Sequence, residues 1–194
     1  MLPRELLDVE QSLLIVVDLQ EGWFSDRLTD AMRERLFSRA AWLTAAARAL
    51  QVPIVITEED AARNGRTAEV VAQHLPPDAP RFSKVTFDLA STPQILTAVE
   101  ETGRRTAVLV GTETDVCIAQ SALGLTERGF RVIVVSDAVA SPDEDHHLGL
   151  QRLQQHSIEL MTVKSVFYEW TRTVPRAREL KAQLADLDHG GLRL

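Results

Sequence analysis

The single cysteine of this chain, Cys117, stands in a sequence context that is typical of a nucleophile. The segment GTETDVC at 111–117 follows a short apolar run and precedes a pattern typical of a helix. A thiol near a helix start feels the positive end of the helix dipole, which lowers its pKa and favours the reactive thiolate. The backbone N–H groups at a helix start can also bind an oxyanion. The pattern alone leaves a second interpretation open, because free cysteines are often buried packing residues.

The elements that must position this cysteine alternate between apolar runs and helical patterns. Strands are predicted at 13–18, 53–57, 106–111, 131–135 and 158–162, with a short extended piece at 82–87. Helices are predicted at 30–50, 67–74, 92–102, 117–129 and 143–156 and from about residue 175. Continuous apolar runs of this length are typical of strands buried on both faces. The sequence therefore predicts an α/β protein with three α/β/α layers, a mainly parallel sheet and one domain over 1–194.

Two further polar residues could take part in chemistry, one of them at a predicted strand end, where sites of open parallel sheets are found. Asp18 ends the first apolar run, and Lys84 lies in the extended piece at 82–87. Each has a common structural alternative. An aspartate at a strand end often caps a helix or forms a turn, and most lysines are solvated.

Composition excludes several classes of function. The 194 residues carry a net charge of −7, with a pI of about 5.3. This balance argues against binding to nucleic-acid phosphates or to an anionic membrane, and no apolar run reaches the roughly 18 residues of a membrane span. One cysteine excludes an internal disulfide and fits a reducing compartment. We therefore expect a cytoplasmic protein that binds neither nucleic acid nor membrane.

Three segments together resemble the isochorismatase-like cysteine hydrolase superfamily. They are LLIVVDLQEGWF at 13–24, FSKVTFDLA at 82–90 and VLVGTETDVCIAQSALGLTERGFRVIVVSDAVAS at 108–141. Each segment alone is a weak signal, but their order and combination are specific. The resemblance covers about residues 10–165 and implies the Rossmann-like fold of that superfamily.

The resemblance implies a triad in which Asp18 is the general base, Lys84 the lysine and Cys117 the nucleophile. A carboxylate can accept the thiol proton, and an ammonium group can stabilise the thiolate. The family reaction is usually hydrolysis of a carbon–nitrogen bond in a small carboxamide through a thioester. The resemblance also implies a cis peptide between Thr112 and Glu113, whose N–H would form an oxyanion hole with that of Cys117.

The segment TEEDAARNGRT at 57–67 departs from metal-binding relatives. Nicotinamidases of the superfamily carry histidine ligands there, and this segment has none. We therefore expect a metal-free member without a cofactor, and not a nicotinamidase. The acidic run at 58–60 could bind a hard cation, but such a run is more often a solvated loop. Glu113 replaces a smaller residue, and we expect its carboxylate to point away from the pocket.

The substrate pocket is predicted to have aromatic walls around a small planar molecule. The foremost candidates are Trp23, Phe24 and Phe87; Tyr168 and Trp170 are weaker ones, and all could instead be core or interface residues. The resemblance implies a homo-oligomer, with which the stretch VFYEW at 166–170 is compatible. The histidines at 146–147 are expected to be solvated.

Two alternatives to amide hydrolysis remain open. One is ether hydrolysis of the isochorismatase type on the same scaffold. The other is a catalytically idle family member that serves in binding or assembly.

Overall fold

Six parallel strands form one sheet in the computed structural model, which describes residues 6–23 and 28–194, with only the backbone at residue 23. The strands are β1 (Ser12–Val17), β2 (Ile54–Glu59), β3 (Arg81–Lys84), β4 (Thr106–Thr112), β5 (Arg131–Ala140) and β6 (Glu159–Met161). Their order in the sheet is β3-β2-β1-β4-β5-β6. The α/β class, the parallel sheet and the flanking helices are therefore confirmed.

Alternate residues of the central strands enter two separate apolar cores. Leu14 and Val16 belong to the first core, whereas Leu13, Ile15 and Val17 belong to the second. This division follows from the strand period of two, which sends neighbouring side chains to opposite faces. Since helices cover both faces, the whole of β1 is buried, and its sequence is apolar without alternation.

Eight helices lie in the described part of the chain. They are α1 (Asp30–Ala49), α2 (Ala61–Asn64), α3 (Glu69–Ala72), α4 (Pro93–Glu101), α5 (Ala119–Glu127), α6 (Asp145–Gln155), α7 (Val163–Thr171) and α8 (Val174–Gln183). Buried residues of α1, α7 and α8 belong to the first core, and those of α4 and α5 to the second. None of the described helices is long and apolar enough to cross a bilayer.

Helix α7 corrects the interpretation of the stretch at 166–170 as an interface segment. Val166, Phe167 and Trp170 are fully buried inside the first core. The Phe167 ring packs edge-on against Trp42 with their centroids 5.1 Å apart. The indole of Trp170 donates a hydrogen bond of 3.0 Å to Ser12. These aromatic residues therefore stabilise the monomer, on the face of the sheet opposite Cys117.

The topological switch point of the sheet lies between β1 and β4. Strands β2 and β3 extend the sheet to one side of β1, and the last three strands extend it to the other side. Loops that leave two adjacent strands in opposite directions open a crevice at their carboxyl ends, and ligands of such sheets bind there. Asp18 follows β1 and the 113–117 segment follows β4, so both border this crevice.

Gly111 allows β1 and β4 to approach each other at this point. Its φ is +130°, and an added Cβ would lie 1.9 Å from the carbonyl oxygen of Val17. We expect Gly111→Ala to lower the free energy of unfolding by about 2 to 3 kcal/mol, as measured by urea denaturation.

The matched control is Gly129→Ala, because Gly129 has a φ of +85° but no atom within 4 Å of an added Cβ. That variant should show only the cost of a left-handed alanine, about 1 kcal/mol. Equal losses in the two variants would contradict a role for close strand approach.

Candidate functional site

Asp18, Lys84 and Cys117 meet in a buried cluster. The Lys84 Nζ lies 2.6 Å from the Asp18 Oδ2 and 3.5 Å from the Cys117 Sγ. All three residues are at least 95% buried. β2 separates β1 from β3 in the sheet, so the long side chain of Lys84 spans the width of one strand to reach Asp18.

The Asp18 carboxylate is held by two different partners. Its Oδ1 accepts a hydrogen bond of 2.8 Å from the Thr57 hydroxyl. Its Oδ2 forms the ion pair with Lys84 but accepts no well-aligned hydrogen bond from the described residues. A carboxylate oxygen of Asp18 also lies within 4.8 Å of the Cys117 sulfur. This carboxylate therefore has the position and the spare acceptor capacity to take a proton from the thiol.

The Cys117 thiol differs in one respect from the expectation based on a helix start. Cys117 lies inside a π-helical turn, Thr114–Ile118, and α5 begins only after it. Burial, together with the negative charge of Asp18, raises the pKa of the Cys117 thiol above its ordinary value of 9.0, although Lys84 opposes this shift. The expected low pKa is therefore wrong, because desolvation outweighs the nearby positive charges. The resting site holds a neutral thiol beside a charged pair.

Lys84 stays protonated in this environment. Burial by itself would lower the pKa of Lys84, but Asp18 and Cys117 raise it above its ordinary value of 10.5. The ammonium group also donates a hydrogen bond of 3.0 Å to the carbonyl oxygen of Thr86. The positive charge is thus fixed between the carboxylate and the sulfur, where it can stabilise a thiolate once one forms.

Because the pKa of Cys117 is raised, the free energy of unfolding should decrease at alkaline pH. The unfolded chain releases the thiol proton near its ordinary pKa of 9.0, whereas the folded chain retains it. This contribution is present in full below about pH 9 and decreases as the pH rises, by up to about 1.4 kcal/mol per pH unit. We expect urea denaturation to show that the stability difference between wild type and Cys117→Ala shrinks between about pH 8 and pH 10.5. A difference that stays constant would contradict the raised pKa.

The segment before Cys117 is held in place by side-chain hydrogen bonds. The peptide between Thr112 and Glu113 is cis, at the position that the resemblance indicates. The Thr112 hydroxyl donates to the backbone oxygen of Asp18 at 2.9 Å. On the other side, the Thr114 hydroxyl and the His146 Nδ1 share a hydrogen bond of 2.9 Å. His146 is therefore half-buried against the cysteine segment and is not the solvated residue that was expected.

Glu59 is a site residue that the sequence patterns did not single out. Its Oε2 accepts a hydrogen bond from the Cys117 thiol, with 3.7 Å between oxygen and sulfur. Glu59 and Thr57 lie two residues apart on β2, so both side chains face the site, while Glu58 faces the other way and binds Thr67. The interpretation of the run at 58–60 as a solvated loop is therefore wrong for these two glutamates. The alternation of side chains along a strand was the sequence signal that could have placed Glu59 on the same face as Thr57.

Gln20 clamps Glu59 through the backbone. Its side-chain amide donates to the Glu59 carbonyl at 2.9 Å, and its side-chain oxygen accepts from the Glu59 N–H at 2.8 Å. The amide also donates to the carbonyl of Gly65 at 2.7 Å. Gln20 thus fixes the backbone at the end of β2, from which the Glu59 side chain extends to the sulfur.

The space at this cluster is small. A cavity of about 10 Å³ is bordered by Asp18, Gln20, Glu59, Thr112 and Glu113. It has room for about one water molecule.

The structure gives no support for aromatic pocket walls among the described residues that were predicted to form them. Phe24 and the side chain of Trp23 lie outside the described residues. Phe87 is 50% exposed and does not border the small cavity. Trp170 lies in the core on the opposite face of the sheet, and Tyr168 packs against Phe167 beside it.

One group of described residues could offer three ligands to a metal ion. The ligand atoms of Asp18, Glu59 and Cys117 lie within 4.8 Å of one another. A cation bound there would be close to the Lys84 ammonium, which lies 2.6 Å from one ligand and 3.5 Å from another. The ammonium group would repel a second cation at these distances, so the donor set fits a resident metal poorly.

Comparison with known proteins identifies relatives across most of the chain. The Isochorismatase domain matches residues 12–165. Isochorismatase domain-containing protein 2 of Danio rerio is 31% identical over 184 residues, covering 92% of this chain and 89% of that protein.

Two solved structures share the whole fold. The MAR1 ribonuclease of Caenorhabditis elegans has a TM-score of 0.84 and 27% identity, with 98% of each chain covered. The Escherichia coli YcaC protein, described as an octameric hydrolase of unknown specificity, has a TM-score of 0.83 and 25% identity, with 95% of this chain and 98% of that chain covered. With the sequence match and the shared fold, the chain belongs to the isochorismatase-like hydrolase family.

Proposed function

We propose that this protein is a cysteine hydrolase that cleaves the carbon–nitrogen bond of a small carboxamide. The observation that carries the proposal is the buried contact of one ammonium with both a carboxylate and a thiol, at 2.6 Å and 3.5 Å. An ion pair that only stabilised the fold would not require a thiol in contact with the ammonium group. The combination supplies a nucleophile, a base and a fixed positive charge within one cluster.

In the proposed first half-reaction, Asp18 takes the proton of the Cys117 thiol and the sulfur attacks the carbonyl carbon. A C–S bond forms, and the carbonyl oxygen becomes an oxyanion that the N–H groups of Glu113 and Cys117 would bind. When the oxyanion collapses, the C–N bond breaks, and the leaving nitrogen receives the proton from Asp18. The products of this half are a thioester and an amine or ammonia.

In the second half-reaction, Asp18 accepts a proton from a water molecule that attacks the thioester carbon. The C–S bond then breaks, the sulfur recovers a proton from Asp18, and a carboxylic acid is released. Lys84 remains protonated throughout and stabilises the thiolate whenever it forms. A neutral thiol in the resting site is consistent with this order of steps. Asp18 then removes the thiol proton only when a substrate carbonyl carbon is present for the sulfur to attack.

The test is a panel of small amides of different size, with release of ammonia or amine as the readout. We expect turnover of at least one amide and, after acid quenching, an acyl adduct on the peptide that contains Cys117. The same panel includes isochorismate, so turnover of the ether alone would favour the alternative chemistry. Failure of every substrate, combined with a thiol inert to iodoacetamide, would contradict the proposal and favour an idle binding member.

RNA cleavage is not part of the proposal. The name of the C. elegans relative describes a ribonuclease, but this chain has a net charge of −7, and a carboxylate lies beside the sulfur. A polyanionic substrate would be repelled there. Incubation with total RNA gives a direct check in the same assay series.

Three further expectations accompany this function. We propose that residues 1–194 act as one domain, that the protein forms a homo-oligomer, and that it works in the reducing cytoplasm. The second is supported by the octamer described for the E. coli relative, and light scattering after gel filtration measures it. The third is supported by the lone buried thiol.

A further inference from the structure

The carboxylate of Glu59 has a fixed place at the proposed site. Its Oε2 lies 3.7 Å from the Cys117 sulfur, and both backbone polar groups of Glu59 are bound by the side chain of Gln20. Asn64 adds a third hydrogen bond, of 3.0 Å, to the Glu59 carbonyl. The backbone of Glu59 is therefore held firmly, and its carboxylate lies within hydrogen-bond distance of the sulfur.

The charges around the sulfur leave Glu59 unbalanced. Lys84 is paired with Asp18 at 2.6 Å, so these two charges largely cancel. Among the described residues that border the small cavity, the side chains carry carboxyl, amide and hydroxyl groups, and none is a lysine or an arginine. A substrate group bound at the sulfur would thus lie close to a carboxylate that has no ion-pair partner among the described residues. In a buried site of low dielectric, a second negative charge there would be strongly disfavoured.

The reaction proposed above does not need this carboxylate, because Asp18 and Lys84 already supply a base and a cation. Glu59 also raises the pKa of the Cys117 thiol, which makes the nucleophile harder to form. Glu59 accepts the hydrogen bond of the resting thiol and so keeps the proton on the sulfur. A carboxylate that opposes the nucleophile, beside a base and a cation that the reaction already has, is better explained by the substrate that it admits.

We propose that Glu59 determines substrate charge: it admits neutral or cationic carboxamides and excludes molecules with a carboxylate near the reacting carbon. This inference rests on the proposed function and deepens it by naming the substrate class. It also predicts that a dicarboxylate such as isochorismate is a poor substrate, because its charges would meet Glu59 at close range.

The test compares two alkylating reagents that differ in charge but hardly in size. Iodoacetamide is neutral and iodoacetate is anionic, and both react with a thiol by the same displacement of iodide. The readout is the ratio of their rate constants with Cys117, divided by the ratio for glutathione measured in the same buffer. Since the chain has a single cysteine, labelling followed by mass spectrometry needs no correction for other thiols.

We expect the wild-type ratio to favour iodoacetamide well beyond glutathione and Glu59→Gln to lower that ratio about tenfold. Glutamine has nearly the same shape, and the clamp by Gln20 acts on the backbone, so the end of β2 should keep its structure. Glu59→Asp retains the charge and should retain most of the preference. A ratio identical in wild type and Glu59→Gln would overturn the inference.

The matched control is Asp60→Asn, which removes one negative charge at the next residue. Asp60 has a φ of +36°, a conformation that asparagine tolerates well. We expect this variant to keep the wild-type ratio, and an equal effect of both substitutions would reduce the inference to a general surface charge and overturn it.

Amide turnover separates this inference from the proposed function. If the labelling ratio responds to Glu59→Gln but no amide is hydrolysed, the charge filter stands and the hydrolase proposal fails. If amides are hydrolysed but carboxylate-bearing and neutral amides have equal kcat/KM, the hydrolase proposal stands and the charge filter fails.

Discussion

Cys117→Ala should reduce amide turnover by at least about a thousandfold while the protein remains folded. The proposed reaction passes through a C–S bond, and the methyl group of alanine cannot form one. The small cavity bordered by Asp18 and Glu59 has room for about one water molecule and for no larger nucleophile. We therefore expect only the residual rate that binding and hydrogen-bond donors can support.

Cys117→Ser is the informative partner of this variant. Serine retains the size and a proton, but its hydroxyl is far harder to ionise than a thiol and gives a poor nucleophile beside Asp18. Its activity should therefore be nearly as low as that of the alanine variant. Circular dichroism and urea denaturation of both variants should show native structure. Undiminished turnover in either variant would contradict the nucleophile assignment.

Asp18→Asn should have two large effects at once. Activity should fall by a factor comparable to that of Cys117→Ala, because the thiol loses its proton acceptor. The free energy of unfolding should fall by about 3 to 5 kcal/mol, because the buried Lys84 ammonium loses its partner. Asp18 has a φ of +51°, which asparagine adopts readily, so backbone strain should not add to the loss.

A second substitution separates these two effects. In the double variant Asp18→Asn/Lys84→Met no unpaired charge remains in the cluster, and a flexible apolar chain fills the space of the lysine. We expect urea denaturation to show that most of the stability returns, whereas activity stays lost. A double variant as unstable as Asp18→Asn would contradict the ion pair as the source of the loss. Active Asp18→Asn protein would contradict the role of Asp18 as base.

The strand predictions succeeded because the sheet is parallel and buried on both faces. The apolar runs at 13–18, 53–57 and 106–111 are continuous and short, and runs of that kind are typical of fully buried strands. Cys117 and Asp18 were each candidates because they follow predicted strands, at the end of the sheet where sites occur. Their combination was predicted from the family resemblance. Lys84 depended on the resemblance, since a lysine alone carries little information.

Helix α7 was missed for a physical reason. Its apolar residues are β-branched or aromatic, types that occur in strands as often as in helices. Only packing of Phe167 against Trp42 of α1, and of Trp170 against Ser12 of β1, determines that they form one helical face.

The sequence by itself determined the class of fold and the residue types that could form a nucleophile, a base and a cation. Only the tertiary structure decided the pKa values of the thiol and the ammonium group. The thiol pKa is raised and not lowered, because burial depends on what covers Cys117 from distant parts of the chain. It also decided that Glu59 faces the sulfur and that His146 binds Thr114. Such contacts join residues 32 to 58 positions apart, and local sequence patterns carry no information about distances of that kind.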